Sequence, residues 1–205
     1  MKITLSKIGR RFNREWIVRN IDYTFETGKS YAILGINGSG KSTLLQVISG
    51  ALSQSEGIIS YEINDKAVEI DQVFQYLAMA TPYLELIEEF TLTEVLDFHF
   101  EFKTRRDGLS NSDLIALLNM ESSKNKQLKY FSSGMKQRVK LILAFCADTP
   151  ILLLDEPTSN LDEQGIAWYN SLIEKFISDR LVIVCSNQNH EYEFCQNRIH
   201  ISDYK

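Results

Sequence analysis

Short segments with alternating apolar and polar residues occupy the first thirty positions of the chain. Residues 2–6 alternate, and residues 16–18 and 21–25 are two further short segments rich in β-branched and aromatic side chains. A period of two places successive side chains on opposite faces of a strand, so these segments predict half-buried β-strands. We therefore expect an N-terminal antiparallel β-subdomain, and a turn at residues 26–29 that leads into the next strand.

Continuous apolar runs indicate a second set of strands. They occupy residues 31–34, 151–154 and 181–185, with a shorter segment at 198–201. A strand that is buried on both faces of a parallel sheet has no polar side, and such runs are typical of it. Segments with helical periodicity, residues 41–52 and 163–177, lie between these runs. The alternation predicts an α/β fold with a mixed or parallel central sheet.

The middle of the chain changes from strand-like to helical character. Residues 57–63 predict a strand, and we expect residues 68–79 to continue the sheet. From residue 81 to about residue 118 the pattern is helical, and Thr91 and Glu94 have the spacing of a reciprocal helix cap.

A further short helix is expected at residues 114–120, before a polar loop at 121–129. The length of 205 residues suits one domain with a sizeable core. We expect a single domain over residues 1–205, with a helical subdomain inserted at approximately 82–130.

A glycine-rich segment lies between the apolar run at 31–34 and the predicted helix. It consists of Gly35, Ile36, Asn37, Gly38, Ser39, Gly40, Lys41, Ser42 and Thr43. Strand, glycine-rich turn and helix form the context of a phosphate-binding loop, whose main-chain N–H groups surround phosphate oxygens. Lys41 can reach the outer phosphates of a bound nucleotide, and the Ser42 hydroxyl can ligate Mg²⁺. A flexible glycine turn is the alternative, but the combined pattern favours nucleotide binding.

Two adjacent carboxylates, Asp155 and Glu156, follow the apolar run at 151–154. Open α/β sheets bind ligands at the carboxyl ends of their strands. Asp155 can bind Mg²⁺ there, and Glu156 can orient or deprotonate an attacking water. A solvated acidic turn is the alternative reading.

A second candidate anion site precedes the helix that is predicted after Phe131. Ser132, Ser133 and Gly134 can offer hydroxyl and free N–H groups at the helix start, although an ordinary helix cap would look the same. A phosphate loop and a second anion site together suggest an intermolecular arrangement. Phe12 stands among polar residues, where it could stack on a base or make a small core contact.

Charge and cysteine content exclude several classes of protein. The net charge of −5 argues against a general nucleic-acid binder, which needs a basic surface. Cys146, Cys185 and Cys195 lack metal-type spacing and lie among apolar residues, so we expect buried, reduced thiols in a cytosolic setting. No segment is long and apolar enough to span a bilayer, so membrane association is expected to come through a partner.

The order of these motifs resembles the nucleotide-binding subunit of an ATP-binding cassette (ABC) transporter. The resemblance covers almost the whole chain and implies a P-loop NTPase core. It also implies a head-to-tail dimer that binds two ATP molecules, each between one subunit's phosphate loop and the other's signature segment, Phe131 to Met135. In this arrangement Phe12 would stack on adenine, and Asp162 would belong to a loop that crosses the dimer interface. The segments that carry the resemblance are residues 35–42, 131–135, 152–157 and 159–162.

Three positions depart from the pattern of that family. Met135 stands where the signature usually has glutamine, and it cannot replace an amide. No glutamine occupies the junction before the helical subdomain, because Gln72 and Gln75 lie too early. The family's histidine after the last buried strand falls on Asn187, and we expect His190 to be an exposed residue at a helix start.

The consequence of Asn187 for catalysis can be estimated. An asparagine can donate a hydrogen bond to the outer phosphate but carries no charge and no titratable proton. Loss of one charge-assisted contact to a transition-state oxygen costs on the order of 2–4 kcal/mol, or a hundredfold or more in rate. Because Glu156 and Lys41 are retained, the sequence predicts slow ATP hydrolysis.

The leading functional hypothesis is therefore an ATPase subunit at the cytoplasmic face of a membrane, coupled to a separate transmembrane permease and paired with a second cassette. Residues 83–90, which mix acidic and apolar side chains, lie where the family receives its permease, although a solvated helix face is as good a reading. An ATP-dependent dimerisation module with little or no hydrolysis is the main alternative. A cassette that acts on ribosomes or DNA fits less well, because the chain is acidic.

Overall fold

The computed structural model describes residues 1–205 and contains nine strands in two sheets. Four strands form an antiparallel sheet: β1 (Lys2–Phe12), β2 (Glu15–Glu26), β4 (Glu56–Ile63) and β5 (Lys66–Val68), in the spatial order β2-β1-β4-β5. The other five form a parallel sheet: β3 (Ser30–Leu34), β6 (Leu77–Ala80), β7 (Ile151–Asp155), β8 (Leu181–Ser186) and β9 (Asn197–His200), in the spatial order β6-β7-β8-β3-β9.

Six α-helices accompany the sheets. They are α1 (Lys41–Ile48), α2 (Leu92–Phe102), α3 (Asn111–Leu118), α4 (Ser133–Phe145), α5 (Glu163–Phe176) and α6 (Asn189–Tyr192). None of them combines the length and the apolar character that a bilayer crossing requires. The predicted fold class is confirmed: a parallel α/β core, an N-terminal antiparallel sheet, and helices inserted between β6 and α4.

The two strands predicted at residues 16–18 and 21–25 are one continuous strand, so the predicted break between them is wrong. β2 pairs with β1 from Glu26 opposite Lys2 to Glu15 opposite Phe12. Asn20 has a φ of 54°, and the register of the pair shifts nearby. A bulge therefore accommodates the polar interruption without ending the strand.

The prediction that residues 68–79 continue the sheet is also wrong. β5 ends at Val68, a 3₁₀ helix covers Ile70–Tyr76, and β6 begins the other sheet at Leu77. Within the 3₁₀ helix only Val73 is buried. Between β5 and β6 the chain passes from the antiparallel sheet to the parallel sheet. The local sequence pattern does not show which sheet a strand joins, so it could not predict this change.

Residues 81–91 are irregular, contrary to the helix predicted from residue 81. Main-chain carbonyls in this segment bond to groups outside it, which removes the need for helical hydrogen bonds. The ammonium of Lys140 donates to the Pro82 carbonyl at 2.9 Å, and the N–H of Lys129 donates to the Glu88 carbonyl at 2.9 Å. Regular helix begins only at Leu92.

The helix caps decide where the two inserted helices begin. The predicted reciprocal cap of α2 is confirmed, because Thr91 N–H donates to the Glu94 carboxylate at 2.7 Å and the Thr91 hydroxyl accepts from Glu94 N–H. Ser110 and Asp113 form an equivalent cap, so α3 starts at Asn111, three residues before the predicted start. The expected loop at 121–129 contains a 3₁₀ turn at Glu121–Ser123, and a second such turn covers Leu128–Tyr130.

The parallel sheet lies between two apolar cores. Alternate residues of its strands, such as Leu154 and Val184, pack with the inserted helices, α4 and α5. The intervening residues, such as Leu153 and Ile183, pack with α1 and the antiparallel sheet. Burial on both faces explains why these strands are continuously apolar. The three cysteines are buried and unpaired, as predicted.

Candidate nucleotide-binding site

The segments that carry the candidate chemistry leave one edge of the parallel sheet. β7, β8 and β3 are neighbours in the sheet, and Asp155 lies opposite Cys185 while Leu34 lies opposite Ser186. The loops that follow these three strands therefore start at the same level. This edge is where parallel α/β sheets place their ligands.

Two residues of the glycine-rich loop have positive φ angles. Gly38 and Gly40 have φ angles of 77° and 105°, in the region that favours glycine. A Cβ at Gly40 would also lie 2.4 Å from Cγ2 of Ile17. No side chain caps the start of α1, so its first N–H groups remain available to an anion.

Lys41 lies over this loop with its side chain buried. Its ammonium donates to the Gly35 carbonyl at 2.8 Å and to the Ile36 carbonyl at 3.3 Å. These main-chain acceptors are neutral, so phosphate oxygens would be stronger partners for the same group. The loop therefore holds its cation ready within reach of a phosphate.

An open cavity of about 310 Å³ adjoins the loop, which is within the range of small-ligand pockets. The residues that line it are Ile17, Asn37, Gly38, Gly40, Lys41, Ser42, Thr43, Tyr83 and Glu156. Most of the predicted phosphate-loop residues thus meet one of the predicted carboxylates in one place.

Asp155 ends β7 beside this cavity and is almost completely buried. Its Oδ1 atom has no hydrogen-bond partner. Burial raises the pKa of the Asp155 carboxyl, and the charge of Glu156 acts in the same direction, while the Ser42 hydroxyl opposes them. A buried carboxylate oxygen that lacks a partner, next to a hydroxyl, fits a Mg²⁺ ligand set.

Ser42 and Asp155 supply only two of the ligands that a Mg²⁺ ion needs. The structure contains no group of three or more His, Cys, Asp or Glu side chains that could hold a metal ion. Mg²⁺ commonly takes one or two protein ligands and completes its shell with phosphates and water. Ser42 and Asp155 therefore suit a Mg²⁺ ion that is bound together with nucleotide.

Glu156 occupies an unfavourable backbone conformation. Its φ is 43°, and its N–H donates to the Cys185 carbonyl at 2.9 Å. A non-glycine residue in the left-handed region costs roughly 1–2 kcal/mol, and such residues concentrate at functional sites. Here the turn directs the Glu156 side chain into the cavity that also contains Lys41.

Asn187 follows β8 and faces the same region. Its side-chain amide donates to the side-chain oxygen of Asn37 at 3.1 Å. His190 lies at the start of α6, as predicted, but it is not exposed. It is half-buried, and its Nε2 bonds to the hydroxyl of Thr158 at 2.9 Å, because α6 folds back against the turn after Glu156.

The signature segment lies at a different cavity of about 310 Å³, which shares no residue with the first. Its lining residues are Ser132, Ser133, Gly134, Met135, Arg138, Asn160, Leu161 and Asp162. Ser132 caps α4 by accepting from Met135 N–H at 3.2 Å, and a Cβ at Gly134 would lie 2.8 Å from the Asn160 carbonyl. One chain therefore does not bring its signature segment to its own phosphate loop.

Phe12 lies apart from both cavities. It ends β1 with 46% of its surface exposed, and the Arg10 guanidinium lies 4.5 Å from the centre of its ring. This exposure excludes the alternative of a core contact. The ring remains a candidate for stacking on a base.

Two residues of the first cavity were missed by sequence reasoning. Ile17 reaches it from β2, and Tyr83 reaches it from the irregular segment 81–91. Tyr83 also lines an adjacent cavity that contains Ser42 and Asp155. Gln72 and Gln75 line neither. In the sequence, the signal for Tyr83 was an aromatic residue directly after Pro82, at the junction where the family's glutamine was expected.

A family model and individual relatives both indicate similarity to ATP-binding proteins of ABC transporters. The model of the family described as ABC transporter matches residues 18–159. The lantibiotic transport ATP-binding protein SrtF of Streptococcus pyogenes is 28% identical over 90% of this chain and 79% of its own length. The uncharacterized ABC transporter ATP-binding protein YybJ of Bacillus subtilis is 29% identical over 94% of this chain and 89% of its own length.

Solved structures share the fold. A putative ABC transporter ATP-binding protein from Pyrococcus furiosus superimposes with a TM-score of 0.84, at 22% identity over 100% of both chains. MJ0796, described as a bacterial ABC transporter cassette with a dimeric structure, gives a TM-score of 0.80 at 23% identity, covering 97% of this chain and 93% of its own. The same cassette has also been solved bound to ADP and phosphate.

Proposed function

Because the chain belongs to the ABC transporter family as an ATP-binding protein, we propose that it binds and hydrolyses ATP to drive a separate membrane permease. The observation that carries this proposal is the cavity in which Lys41, Ser42 and Glu156 meet beside Asp155. Residues of these types have recognised roles in phosphoryl transfer: a lysine on the outer phosphates, a hydroxyl and a carboxylate on Mg²⁺, and a carboxylate that orients water.

The residues divide the work of binding and hydrolysis. Main-chain N–H groups from Gly38 to Thr43 surround the β- and γ-phosphates, and Lys41 moves from its carbonyl partners to phosphate oxygens. Ser42 and Asp155 would hold Mg²⁺, which would supply positive charge to neutralise the phosphates when bound. Glu156 orients the attacking water and accepts its proton. Phe12 is proposed to stack on the adenine ring.

Hydrolysis is proposed to require a second cassette. Ser132, Ser133, Gly134 and Asp162 lie at a cavity apart from the phosphate loop, so they can reach a nucleotide only across an interface. A partner cassette placed head to tail would supply its signature segment to this chain's ATP and accept this chain's in return. The dimeric description of MJ0796 supports this arrangement.

The permease is proposed to contact the irregular segment 81–91. A groove of about 320 Å³ lies between this segment and α4, with Leu84, Glu85 and Leu86 on one side and Lys140 on the other. Lys136 pairs with Glu88 across it. The segment also carries Tyr83, so it links the groove to the nucleotide cavity. This contact would hold the chain at the cytoplasmic face of a membrane, and its acidic balance makes nucleic acid an unsuitable partner.

A second candidate function is an ATP-dependent dimerisation module with little hydrolysis. It is favoured by Asn187, which replaces a titratable residue, and by Met135 in the signature cavity. The two candidates differ in turnover and share ATP binding.

The test titrates the purified protein with Mg-ATP and then measures phosphate release. Saturable binding that is lost in Lys41→Ala and kept in Lys66→Ala, an exposed lysine outside the cavity, supports the nucleotide site. Turnover that rises when the permease is present supports the leading candidate. Binding without turnover under either condition would favour the second, and absence of saturable binding would overturn both.

A further inference from the structure

Glu191 is fully buried in α6 and forms no ion pair. Its carboxylate is held by neutral donors from two other loops. Oε1 accepts from the main-chain N–H of Thr158 at 2.7 Å and from the Thr158 hydroxyl, while Oε2 accepts from the Ser186 hydroxyl. A buried carboxylate without a cation is costly, so a position that keeps one requires an explanation.

The two partners of this carboxylate lie close in the chain to the two residues that are proposed to act at the outer phosphate, Glu156 and Asn187. Thr158 follows Glu156 and Pro157 in the turn whose backbone directs Glu156 into the cavity. Ser186 ends β8 and directly precedes Asn187, which contacts the phosphate loop through Asn37. One side chain therefore joins the loop of the proposed base to the loop of the proposed phosphate contact.

Three further hydrogen bonds support this connection. The hydroxyl of Tyr169, on α5, donates to the main-chain carbonyl of Glu191 at 3.0 Å. The Ser186 hydroxyl also accepts from the N–H of Gln188 at 2.9 Å, which closes the loop that carries Asn187. His190 adds a bond to Thr158. Few rotamers are open to a carboxylate that is fixed by both oxygens, so the relative position of the two loops is set by it.

We propose that Glu191 is a positioning residue for ATP hydrolysis, which fixes Glu156 and Asn187 relative to each other. Glu191 lines neither of the two cavities and acts only through its neighbours. The inference rests on the proposed ATPase function and assigns to it a residue outside the nucleotide cavity. A displacement of about 1 Å at the reacting centre can cost roughly a hundredfold in rate.

The expected signature is a loss of turnover without a loss of nucleotide binding. Glu191→Gln keeps the size of the side chain and one acceptor oxygen, but it cannot accept from both loops. We expect kcat for ATP to fall about tenfold to a hundredfold, while the dissociation constant for Mg-ATP changes less than about threefold. Glu193→Gln, an exposed neighbour on the same segment, should leave both quantities unchanged.

A double-mutant cycle separates positioning from a general structural role. If Glu191 acts by placing Asn187, then Asn187→Ala should reduce kcat far less in the Glu191→Gln background than in the wild type. Fully additive losses, or an unchanged kcat in Glu191→Gln, would overturn the inference. Should Glu191→Gln fail to fold, Ser186→Ala can be used, because among the hydrogen bonds to the Glu191 carboxylate it removes only the one from Ser186. The kcat of this variant is then compared with and without Asn187→Ala in the same way. A wild type that binds no ATP would instead refute the proposed function.

Discussion

The side-chain amide of Asn187 donates a hydrogen bond to the side-chain oxygen of Asn37 at 3.1 Å, across a separation of 150 residues in the chain. The contact closes one end of the phosphate loop with two neutral groups. The bond holds Asn187 beside the loop, where we propose that it contacts the outer phosphate of ATP. Because an amide carries no charge, such a contact can contribute only a neutral hydrogen bond.

Asn187→His is expected to raise ATP turnover, and Asn187→Ala to lower it. A histidine can supply a charge-assisted hydrogen bond to the transition state, which is worth on the order of 2–4 kcal/mol relative to no contact. We expect kcat to rise at least about tenfold in the histidine variant, with an unchanged dissociation constant for Mg-ATP. Steady-state phosphate release checks this. Identical turnover in all three proteins would remove Asn187 from the site.

Glu156→Gln is expected to separate binding from hydrolysis. The amide keeps the shape of the side chain but cannot accept a proton from water, so turnover should fall by about two to four orders of magnitude. Mg-ATP binding should persist, and an ATP-bound dimer should become visible by size-exclusion chromatography. Glu163→Gln, on the exposed first turn of α5, is the matched control. Equal turnover of wild type and Glu156→Gln would contradict the assigned role.

Reversal of the charges at Glu88 and Glu89 is expected to weaken assembly with the permease. Glu88 pairs with Lys136 across the groove beside segment 81–91, so Glu88→Lys places two like charges together at this groove. The double variant Glu88→Lys and Glu89→Lys should keep its basal ATPase activity but lose stimulation by the permease. Normal co-purification and normal stimulation would show that this face is merely solvated.

Gly40→Ala is expected to damage the phosphate loop specifically. The φ of 105° strains any other residue, and the new Cβ would clash with Ile17. Gly28 also has a positive φ, 77°, but a Cβ there meets nothing within 4 Å. Both alanine variants should lose roughly 1–2 kcal/mol of stability from backbone strain, but only Gly40→Ala should also lose Mg-ATP affinity. Denaturant unfolding and nucleotide titration measure the two effects.

His99 is expected to make the protein less stable in acid. Burial is the main cause that lowers the pKa of His99, on α2, from its ordinary 6.5 to about 4, and the charge of Lys103 acts in the same direction. Its Nε2 is buried without a partner. Between these two values the unfolded chain binds a proton that the folded protein does not, so stability falls as the pH falls from about 6.5 to about 4.

The size of that loss can be measured by substitution. The shift corresponds to at most about 3 kcal/mol of unfolding free energy at pH 4 relative to pH 7.5. His99→Gln removes the titrating group, so its stability should decline less over this range than that of the wild type. Because carboxylates titrate in both proteins, the difference between the two curves isolates the imidazole.

The sequence determined the parts of this protein that depend on local physics. The predicted phosphate loop needs glycine where φ is positive, so Gly38 and Gly40 indicate this loop in the sequence itself. A strand buried on both faces is apolar throughout, so the continuous apolar run at residues 151–154 correctly indicated a strand inside the sheet. The cap formed by Thr91 and Glu94 is also local, and it correctly marked the start of α2.

Only the tertiary structure determined the features that depend on contacts between residues far apart in the chain. Residues 81–91 have a helical pattern, but their carbonyls are bonded by Lys140 and other distant groups, so no helix forms. His190 looked exposed because its partner Thr158 is 32 residues away. The bond from Asn187 to Asn37 and the burial of Glu191 have the same cause. Propensity and periodicity act over a few residues, whereas the pairing of loops at one sheet edge depends on the whole topology.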